Sequence, residues 1–354
     1  MASRRESAAF PPRRGQEGRC RLAALVTGLA LTAGVPAHGA TLDDVRTRGH
    51  LVCGVSEGMT GFSRADERGE WSGLDVDFCA AVAVAVFGRK DAVTYRPLSA
   101  ADHFRALRAG EIDLLSPATT WTLSRDTELG IRFVGVLFYD GQGFLVRRGQ
   151  AVTSVLELSG SSICVLAGTG AEQGLVDFFR TRQMRYKAVA AERWADLIKA
   201  YATGGCTLLT GDSSLLALER SRFAASADHM LLPELVTKEP YGPVVRQGDD
   251  QWFAIVRWTL MALIAAEELG LTSQNVDGAG ASQLQEVRRF SGANGNLGHG
   301  MGLQPDWALE VVKQVGNYGE AFDRNVGAKS ILKLERGINN LWTKGGLMYA
   351  APFR

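Results

Sequence analysis

The strongest constraint on the fold is an alternation of strands and helices that occurs twice along the chain. In its first occurrence the predicted segments are a strand at 51–55, a helix at 74–87, a strand at 93–98, a helix around Phe104 and Leu107, and a strand at 112–115. The alternation resumes between residues 162 and 210. Each helix in such a pattern returns the chain to the start of the next strand, so the strands become parallel neighbours in one sheet. The sequence therefore predicts an α/β fold with two lobes, each an open, mostly parallel sheet flanked by helices.

Two extended segments, near residues 140–148 and 240–246, separate the alternating regions and predict two chain crossings between the lobes. We assign residues 41–146 to the first part of the first lobe, residues 147–243 to the second lobe, and residues 244–354 to a return to the first lobe with a C-terminal extension. Because two crossings form a hinge, the lobes are expected to close on a ligand held in the cleft between them.

A helix predicted at residues 251–270 indicates where the C-terminal segment packs. Its apolar residues form one continuous face, which needs a partner and favours packing on the first lobe over a third domain. Arg257, Glu267 and Glu268 lie within this helix and argue against a membrane span.

Residues 1–40 have the composition of a secretory signal peptide. Arginines are concentrated before residue 22, an uncharged run follows at 22–35, and small residues stand at its exit. A basic N-terminal region, a short apolar middle region and small residues at its end are typical of export signals. The apolar run is also shorter than a typical membrane-spanning helix. We expect an exported, periplasmic protein cleaved after Gly39 or Ala40, the alternative being a disordered tail.

The cysteine count agrees with export. Once Cys20 has left with the signal peptide, the remaining cysteines are Cys53, Cys79, Cys164 and Cys206. An even number in an exported chain indicates disulfide bonds, and three pairings are possible. The sequence alone does not choose among them. We favour Cys53–Cys79 and Cys164–Cys206, because each pair would then lie within one lobe, and the alternative is four buried thiols.

Composition indicates no further class of partner. The chain of 354 residues has a net charge of +1 and no basic block beyond its N-terminus, which gives no support for a nucleic-acid partner. Its five histidines are scattered and it contains no Cys-x-x-Cys motif, so neither a metal site nor a cofactor is indicated. Apolar residues make up 46% and charged residues 22%, as expected of a globular protein with substantial cores.

The stretch LSPATTWTLSRDT, residues 115–127, combines groups that bind an anion. Thr120, Trp121 and Thr122 follow a predicted strand, and Arg125 lies in the first turn of a short predicted helix. Hydroxyl groups and free N–H groups at a helix start can hold an anion, and an arginine can bind a carboxylate through two parallel hydrogen bonds. The alternative is a capped helix with a solvated arginine.

The second lobe supplies the opposite charge. Thr169 begins a predicted helix after the strand at 162–166, and Asp212 follows the strand at 207–210. Ligands of open α/β sheets bind beyond the carboxyl ends of the strands. An arginine on one wall and an aspartate on the other match the carboxylate and ammonium groups of an α-amino acid, because each charge taken out of water must be paired.

Six stretches resemble the periplasmic solute-binding proteins of polar amino-acid ABC transporters, and the general L-amino-acid-binding subgroup in particular. They are CGVSEGMTGFS (53–63), WSGLDVDFCAAVAVAVFG (71–88), TTWTLSRDT (119–127), YDGQGFLV (139–146), KEPYGPVVRQGDDQW (238–252) and VGNYGEAFDRNVG (315–327). The resemblance implies a monomer with two lobes and a hinge, closure on an L-amino acid, and delivery of that ligand to a membrane permease.

The resemblance also implies a role for each candidate residue. Arg125 takes the ligand carboxylate with help from Thr120, Thr169 adds to that carboxylate site, and Asp212 takes the ammonium group. Ser56, Met59 and Phe62 would shape the side-chain pocket from the first loop, Thr122 lies on the same wall as Thr120 and Arg125, and Trp121 would be part of the cleft wall. For Phe62 and Trp121, ordinary packing is an equal alternative.

The chain departs from the subgroup pattern at two places. Pro117 and Ala118 stand where the subgroup has Arg-Asn, and Gly170 and Ala171 interrupt a run of threonines. Both changes remove polar side chains from the cleft, so the ligand range is expected to differ from the broad polar specificity of the subgroup.

Two other functions use the same fold. One is a cyclohexadienyl-dehydratase-like enzyme, with Glu57 and Glu172 as candidate acid or base. The other is a sensory amino-acid-binding protein. Because no histidine–carboxylate or nucleophile–base pair stands out, we predict a binding protein with no catalytic residues.

Overall fold

The structure is a computed structural model that describes residues 41–354. The elements up to the first crossing are α1 (Thr41–Arg48), β1 (Leu51–Ser56), β2 (Arg64–Ala65), β3 (Trp71–Ser72), α2 (Leu74–Phe87), β4 (Val93–Leu98), α3 (His103–Arg108), β5 (Leu114–Leu115), α4 (Leu123–Glu128), β6 (Ile131–Phe133) and β7 (Phe138–Asp140). Those after it are β8 (Gln142–Arg147), β9 (Ser162–Leu166), α5 (Gly170–Thr181), β10 (Lys187–Ala191), α6 (Trp194–Ala202), β11 (Leu208–Asp212), α7 (Ser213–Arg222), β12 (His229–Leu231), β13 (Glu239–Tyr241), β14 (Val244–Arg246), α8 (Asp250–Glu268), α9 (Gln285–Phe290), α10 (Trp307–Val315) and α11 (Tyr318–Asn325).

The first sheet has the strand order β4-β1-β5-β14-β6. Strand β1 pairs in parallel with β4 and β5, and β14 runs antiparallel between β5 and β6. Four strands therefore run one way and one runs the other. Gly54 at the centre of β1 allows close packing, since a Cβ there would approach Ile112 Cδ1 to 2.6 Å.

The second sheet repeats this pattern with the order β10-β9-β11-β8-β12. Strand β9 is parallel to β10 and β11, and β8 runs antiparallel between β11 and β12. The predicted fold class, two lobes with open and mostly parallel sheets, is confirmed. Strand β8 lies in the second sheet because it pairs with β11, whereas the sequence placed it at the end of the first lobe.

The two chain segments that connect the sheets pair with each other. Strands β7 and β13 form an antiparallel ribbon in which Asp140 is opposite Glu239 and Phe138 is opposite Tyr241. The rings of Phe138 and Tyr241 stack with their centroids 6.2 Å apart. Residues Glu239 and Tyr241 thus project from the same side of this ribbon, because side chains alternate along a strand.

The helices that cover the first sheet form the largest core of the described residues, and the C-terminal segment contributes to it. The indole of Trp252 in α8 is fully buried and donates to the carbonyl oxygen of Asp113 at 2.9 Å. Near the chain end, the ring of Phe353 packs on those of Trp258, Phe290 and Trp307. Residues 250–354 therefore pack on the first sheet and its helices.

Residues 330–340, which we call the C-terminal strap, contact both halves of the molecule. From α7 the guanidinium of Arg220 donates to the carbonyl oxygen of Leu332 at 2.6 Å. Asn339 forms two hydrogen bonds with the backbone of Tyr139 in β7, at 2.7 and 2.9 Å. Arg336 bonds Glu267 of α8 at 3.0 Å. The strap thus joins the second sheet's α7, the connecting ribbon and the first sheet's α8.

Each sheet carries one disulfide, and the predicted pairing is confirmed. Cys53 in β1 is bonded to Cys79 in α2, with 6.3 Å between their Cα atoms. Cys164 in β9 is bonded to Cys206, which precedes β11, with 5.8 Å between their Cα atoms. The sequence separations are 26 and 42 residues. A loop-entropy model assigns roughly 3.5–4 kcal/mol of stabilisation to each bond.

We expect exported protein to contain no free thiol, because both pairs are closed. Thiol titration of denatured, unreduced protein should give close to zero thiols per chain, and the same titration after reduction is the control and should give four. Replacing Cys164 and Cys206 together by serine is expected to lower the free energy of unfolding by up to about 4 kcal/mol, measured in denaturant. Two or more free thiols in the unreduced sample would contradict the pairing.

No helix within residues 41–354 combines the length and the apolarity needed to cross a bilayer. The predicted signal peptide, residues 1–40, lies outside the described residues and stays a prediction.

Candidate binding site

The first side of the site is the segment that follows β5. Trp121 donates its N–H to the carbonyl of Pro240 at 2.8 Å, and Gly242 donates to the carbonyl of Thr119 at 3.0 Å. In this pairing Thr120 lies opposite Tyr241 and directs its own N–H and C=O groups away from β13. The carbonyl of Thr120 accepts a hydrogen bond of 2.7 Å from Arg125 Nη1. The structure therefore brings Thr120 and Arg125 together.

Arg125 is a half-buried cation without a carboxylate partner. Its guanidinium lies over the ring of Phe104, 5.7 Å from the centroid, and it takes part in no salt bridge among residues 41–354. Thr122 is the N-cap of α4, and its hydroxyl accepts from the N–H of Arg125 at 3.4 Å. The cap fixes the backbone of Arg125 while its side chain keeps donors for an anion.

The segment before Thr119 has an unusual backbone. Ala118 has a φ of 52°, in the left-handed region, which asparagine adopts more readily than alanine and which costs alanine on the order of 1 kcal/mol. Ser116, two residues earlier, donates its hydroxyl to the buried carboxyl of Asp75 at 3.0 Å. The departure from Arg-Asn noted in the sequence thus falls on a position whose backbone suits asparagine.

The second side of the site is Asp212, at the end of β11. Its Oδ2 accepts a hydrogen bond of 3.3 Å from the phenol of Tyr241. Burial and the nearby carboxylates of Asp140 and Glu239 raise the pKa of Asp212 to about 6. A cation placed beside Asp212 would relieve this repulsion, because an opposite charge favours the ionised carboxylate.

Asp140, in contrast, has a structural role, because its carboxylate is hydrogen-bonded within the protein. It is 2% exposed and accepts hydrogen bonds from the hydroxyls and N–H groups of Ser213 and Ser214, at 2.5 to 3.3 Å. The N–H of Gly141 adds a further bond at 2.8 Å. Asp140 therefore ties the start of α7 to β7 and has little acceptor capacity left for a ligand.

Tyr241 connects the two sides. Its backbone pairs with Thr120 of the first side, and its phenol reaches Asp212 of the second. Tyr241 and its neighbour Glu239 were not among the candidates derived from the sequence. The hydroxyl of Thr120 donates to Glu239 Oε2 at 2.7 Å. The only sequence signal that places Glu239 and Tyr241 on one face is their spacing, with Pro240 alone between them.

Thr169 occupies the N-cap position of α5 without capping it. Its hydroxyl donates to the carbonyl of Leu166 at 2.7 Å. No hydrogen bond between described residues joins Thr169 to Thr120, Arg125 or Asp212. It lies at the carboxyl end of β9, in the same sheet as Asp212, which is the relation that the sequence predicted.

The loop after β1 is held by its own hydroxyl groups. Ser56 Oγ and Ser63 Oγ are 2.6 Å apart, and the N–H of Met59 donates to Ser56 Oγ at 3.3 Å. Met59 is half-buried against the core of the first sheet.

For Phe62 the structure favours ordinary packing, one of the two alternatives that the sequence left open. Phe62 is 1% exposed, and its ring packs edge-on to Phe138 at 5.1 Å and to Tyr241 at 5.9 Å. It therefore belongs to the core beneath the site rather than to the pocket wall. Trp121 stacks on Phe133 with a centroid distance of 5.5 Å, so packing accounts for this half-buried residue as well.

Gln142 was also missed from the sequence. It lies opposite Asp212 in the pairing of β8 with β11 and is 1% exposed. Its Nε2 donates to the carbonyl of Ala171 at 2.8 Å and to Thr210 Oγ1 at 3.0 Å, so it joins the start of α5 to the strand that carries Asp212.

Within the described part of the chain, no three His, Cys, Asp or Glu side chains form a group that could hold a metal ion.

Comparison with protein families gives a match over most of this region. A model of bacterial extracellular solute-binding proteins, family 3, matches residues 51–275. The general L-amino acid-binding periplasmic protein AapJ of Rhizobium johnstonii is 49% identical over 94% of this chain and 98% of its own length. The glutamate/glutamine/aspartate/asparagine-binding protein BztA of Rhodobacter capsulatus is 47% identical over 95% of this chain and 98% of its own length.

A solved structure shares the whole architecture. The ABC transporter periplasmic binding protein from Brucella ovis with glutathione bound is 46% identical and superposes with a TM-score of 0.77. The match covers 90% of this chain and 100% of that one.

Proposed function

The chain belongs to the bacterial extracellular solute-binding proteins, family 3, and from that premise we propose that it captures L-amino acids in the periplasm for an ABC importer. Its relatives carry the names of binding proteins, which supports capture without chemical change. The protein then acts as a monomer that delivers its ligand to a membrane permease.

The arrangement of two opposite charges around Tyr241 is the observation that carries this proposal. Arg125 is a half-buried cation without an ion-pair partner in residues 41–354, and Asp212 is a half-buried carboxylate whose pKa is raised to about 6. Arg125 donates to the carbonyl of Thr120, the phenol of Tyr241 donates to Asp212, and Thr120 and Tyr241 lie opposite each other in the backbone pairing. A molecule that carries a carboxylate and an ammonium group on one carbon supplies both missing partners.

The roles of the site residues follow from these positions. Arg125 and the outward N–H of Thr120 bind the ligand carboxylate, and Asp212 binds the ammonium group. Thr169 approaches the carboxylate from the second lobe as the cleft closes. We assign the space for the ligand side chain to Met59 and to the loop after β1, which the hydrogen bonds of Ser56 hold in place.

The head group, rather than the side chain, is the common requirement for binding. The similar Brucella ovis protein was solved with glutathione, whose γ-glutamyl end carries a free α-amino and a free α-carboxylate group. We therefore include γ-glutamyl peptides with free L-amino acids as ligands of the proposed site.

A thermal-shift screen tests the proposed function. The twenty standard L-amino acids and glutathione are each added to the mature protein, and at least one is expected to raise its melting temperature. Succinate and putrescine, which carry only one kind of charge, are the controls. A protein that responds to none of the amino acids or to glutathione would not be the proposed binding subunit.

Closure without turnover is expected when such a ligand binds. The ribbon of β7 and β13 connects the two sheets, and rotation about it would close the cleft on the ligand. Small-angle scattering should show a smaller radius of gyration with the amino acid that gives the largest thermal shift. Chromatography should recover that amino acid unchanged, whereas a product would favour an enzyme. The carboxylate of Glu172, a candidate acid or base of that enzyme, accepts a hydrogen bond of 2.9 Å from the N–H of Gly168.

A further inference from the structure

Glu239 is a carboxylate beside the site with no role in the function proposed above. Its Oε2 accepts the hydroxyl of Thr120 at 2.7 Å, while Oε1 has no hydrogen-bond partner among the described residues. It is half-buried and lies on the same side of β13 as Tyr241, whose phenol bonds Asp212. We propose that Glu239 is a specificity-determining residue. Together with Asp212 it forms a binding site of two carboxylates for the ligand's ammonium group.

The inference rests on the proposed function and adds to it a second acceptor for the amine. An ammonium group has three N–H donors, and a single carboxylate satisfies them poorly once water is excluded. Two other carboxylates, those of Asp140 and Glu239, lie near enough to Asp212 for their charges to raise its pKa. Asp140 is saturated by the start of α7, so only Asp212 and Glu239 retain free acceptor positions.

The charges around the pair favour a cation between them. Asp212 comes from β11, Asp140 from β7, and Glu239 and the Tyr241 phenol from β13. The guanidinium of Arg125 is on the other side of Thr120, bonded to its carbonyl. Burial and the charges of Asp140, Asp212 and Glu239 raise the pKa of Tyr241, and Asp140 and Glu239 act on Asp212 in the same direction. An amine therefore enters a region of unbalanced negative charge.

The position of Glu239 also predicts a restriction on the ligand. The carboxylate of Glu239 lies within hydrogen-bond distance of Thr120, which borders the proposed binding position of the ligand carboxylate. An α-amino acid places its ammonium group next to its carboxylate and so offsets this negative charge, whereas the corresponding amine-free acid brings only a second anion. Glu239 thus favours α-amino acids and disfavours α-keto, α-hydroxy and N-acylated acids.

Substitution of Glu239 by glutamine tests the inference, because glutamine keeps an acceptor for Thr120 and removes only the charge. Calorimetry is performed with each of the twenty L-amino acids and with the deamino acid that corresponds to the tightest binder. For that amino acid, Glu239→Gln is expected to weaken binding 10- to 100-fold at pH 7.5. Binding of the deamino acid should be unchanged or tighter.

Three comparisons separate this role from a structural one. Glu192→Gln removes the same charge from an exposed position in the second lobe and should leave every affinity unchanged. Arg125→Ala removes the cation assigned to the ligand carboxylate and should weaken the amino acid and the deamino acid alike. With Glu239→Gln, the pH below which amino-acid binding fails should move downward, because one of the charges that raise the pKa of Asp212 is gone.

Two results would overturn the inference while leaving the proposed function intact. They are wild-type affinity for amino acids in Glu239→Gln, and an equal loss for the amino acid and its deamino counterpart. If the wild-type protein binds none of the twenty amino acids, the proposed function fails first and the inference fails with it.

Discussion

Replacing Arg125 by alanine is expected to weaken the binding of L-amino acids by about 2–5 kcal/mol, because the ligand carboxylate would be buried without its cation. The fold should be unaffected. Arg125 makes one side-chain hydrogen bond, to the carbonyl of Thr120, and a contact with the ring of Phe104, and neither supports a core. Calorimetry with the tightest-binding amino acid measures the loss, and the melting temperature of the ligand-free variant checks the fold.

Arg125→Lys is the matched variant that separates charge from geometry. A lysine keeps the positive charge but cannot form two parallel bonds to a carboxylate, so it should restore little of the lost affinity. Arg108→Ala, at an exposed position of the same lobe, is the control and should bind normally. Near wild-type affinity in Arg125→Ala would mean that residues 119–127 form only a capped helix, and the proposed ligand would lose its main support.

Replacing Asp212 by asparagine is expected to have opposite effects on binding and on stability. Amino-acid affinity should fall at least about 100-fold, because the ammonium group loses its buried partner. A carboxylate ligand without an amine should bind almost as before. The phenol of Tyr241 keeps an acceptor in the asparagine amide, so the fold is expected to remain intact.

The stability of the ligand-free protein provides the second measurement. The pKa of Asp212 is raised to about 6 in the folded protein, above its ordinary value, so folding favours the protonated form. The contribution of this group to stability is therefore complete below about pH 4 and is lost as the pH rises through about 6. Asp212→Asn should raise the melting temperature at pH 7.5, by roughly 2–4 °C for each kcal/mol relieved, and should leave it unchanged at pH 4.

Amino-acid binding should depend on the same titration of Asp212, but with the opposite pH dependence to that of stability. Because the amine requires ionised Asp212, the affinity of the wild-type protein should fall as the pH drops through about 6, by up to about tenfold per pH unit. The variant should lose this pH dependence along with its affinity. A wild-type affinity that stays constant from pH 8 to pH 5 would show that Asp212 does not hold the amine.

The sequence predicted the two sheets well because the pattern of apolar residues identifies strands and helices without knowledge of their partners. It could not place β8, whose six residues read equally well as the last strand of one lobe or the first of the other. Only the pairing of Gln142–Arg147 with β11 decides this, and that pairing is a tertiary contact.

The candidate site was predictable where position along a strand defines it. Thr169 lies beyond the end of β9 and Asp212 is the last residue of β11, close to where the strand pattern predicted them, and Arg125 lies in the predicted short helix, α4. Glu239 and Tyr241 lie in a three-residue strand whose facing side cannot be known until β7 is paired with it. For Phe62 the sequence left a pocket wall and ordinary packing as equal alternatives, and only the tertiary contacts with Phe138 and Tyr241 favour packing.

The C-terminal strap is expected to affect how tightly the protein binds its ligands without affecting which ligands it selects. It bonds Arg220 of α7 and the backbone of Tyr139 in the ribbon, yet it supplies none of the residues assigned to the ligand. In the proposed closure, these contacts are expected to set the fraction of molecules that are open or closed, and apparent affinity scales with the fraction competent to bind. A substitution such as Arg220→Ala would change the dissociation constants of all amino acids by one common factor, so that their ratios stay constant. Evolution could use the strap to adjust the affinity of the transporter to nutrient supply without altering which nutrients it selects.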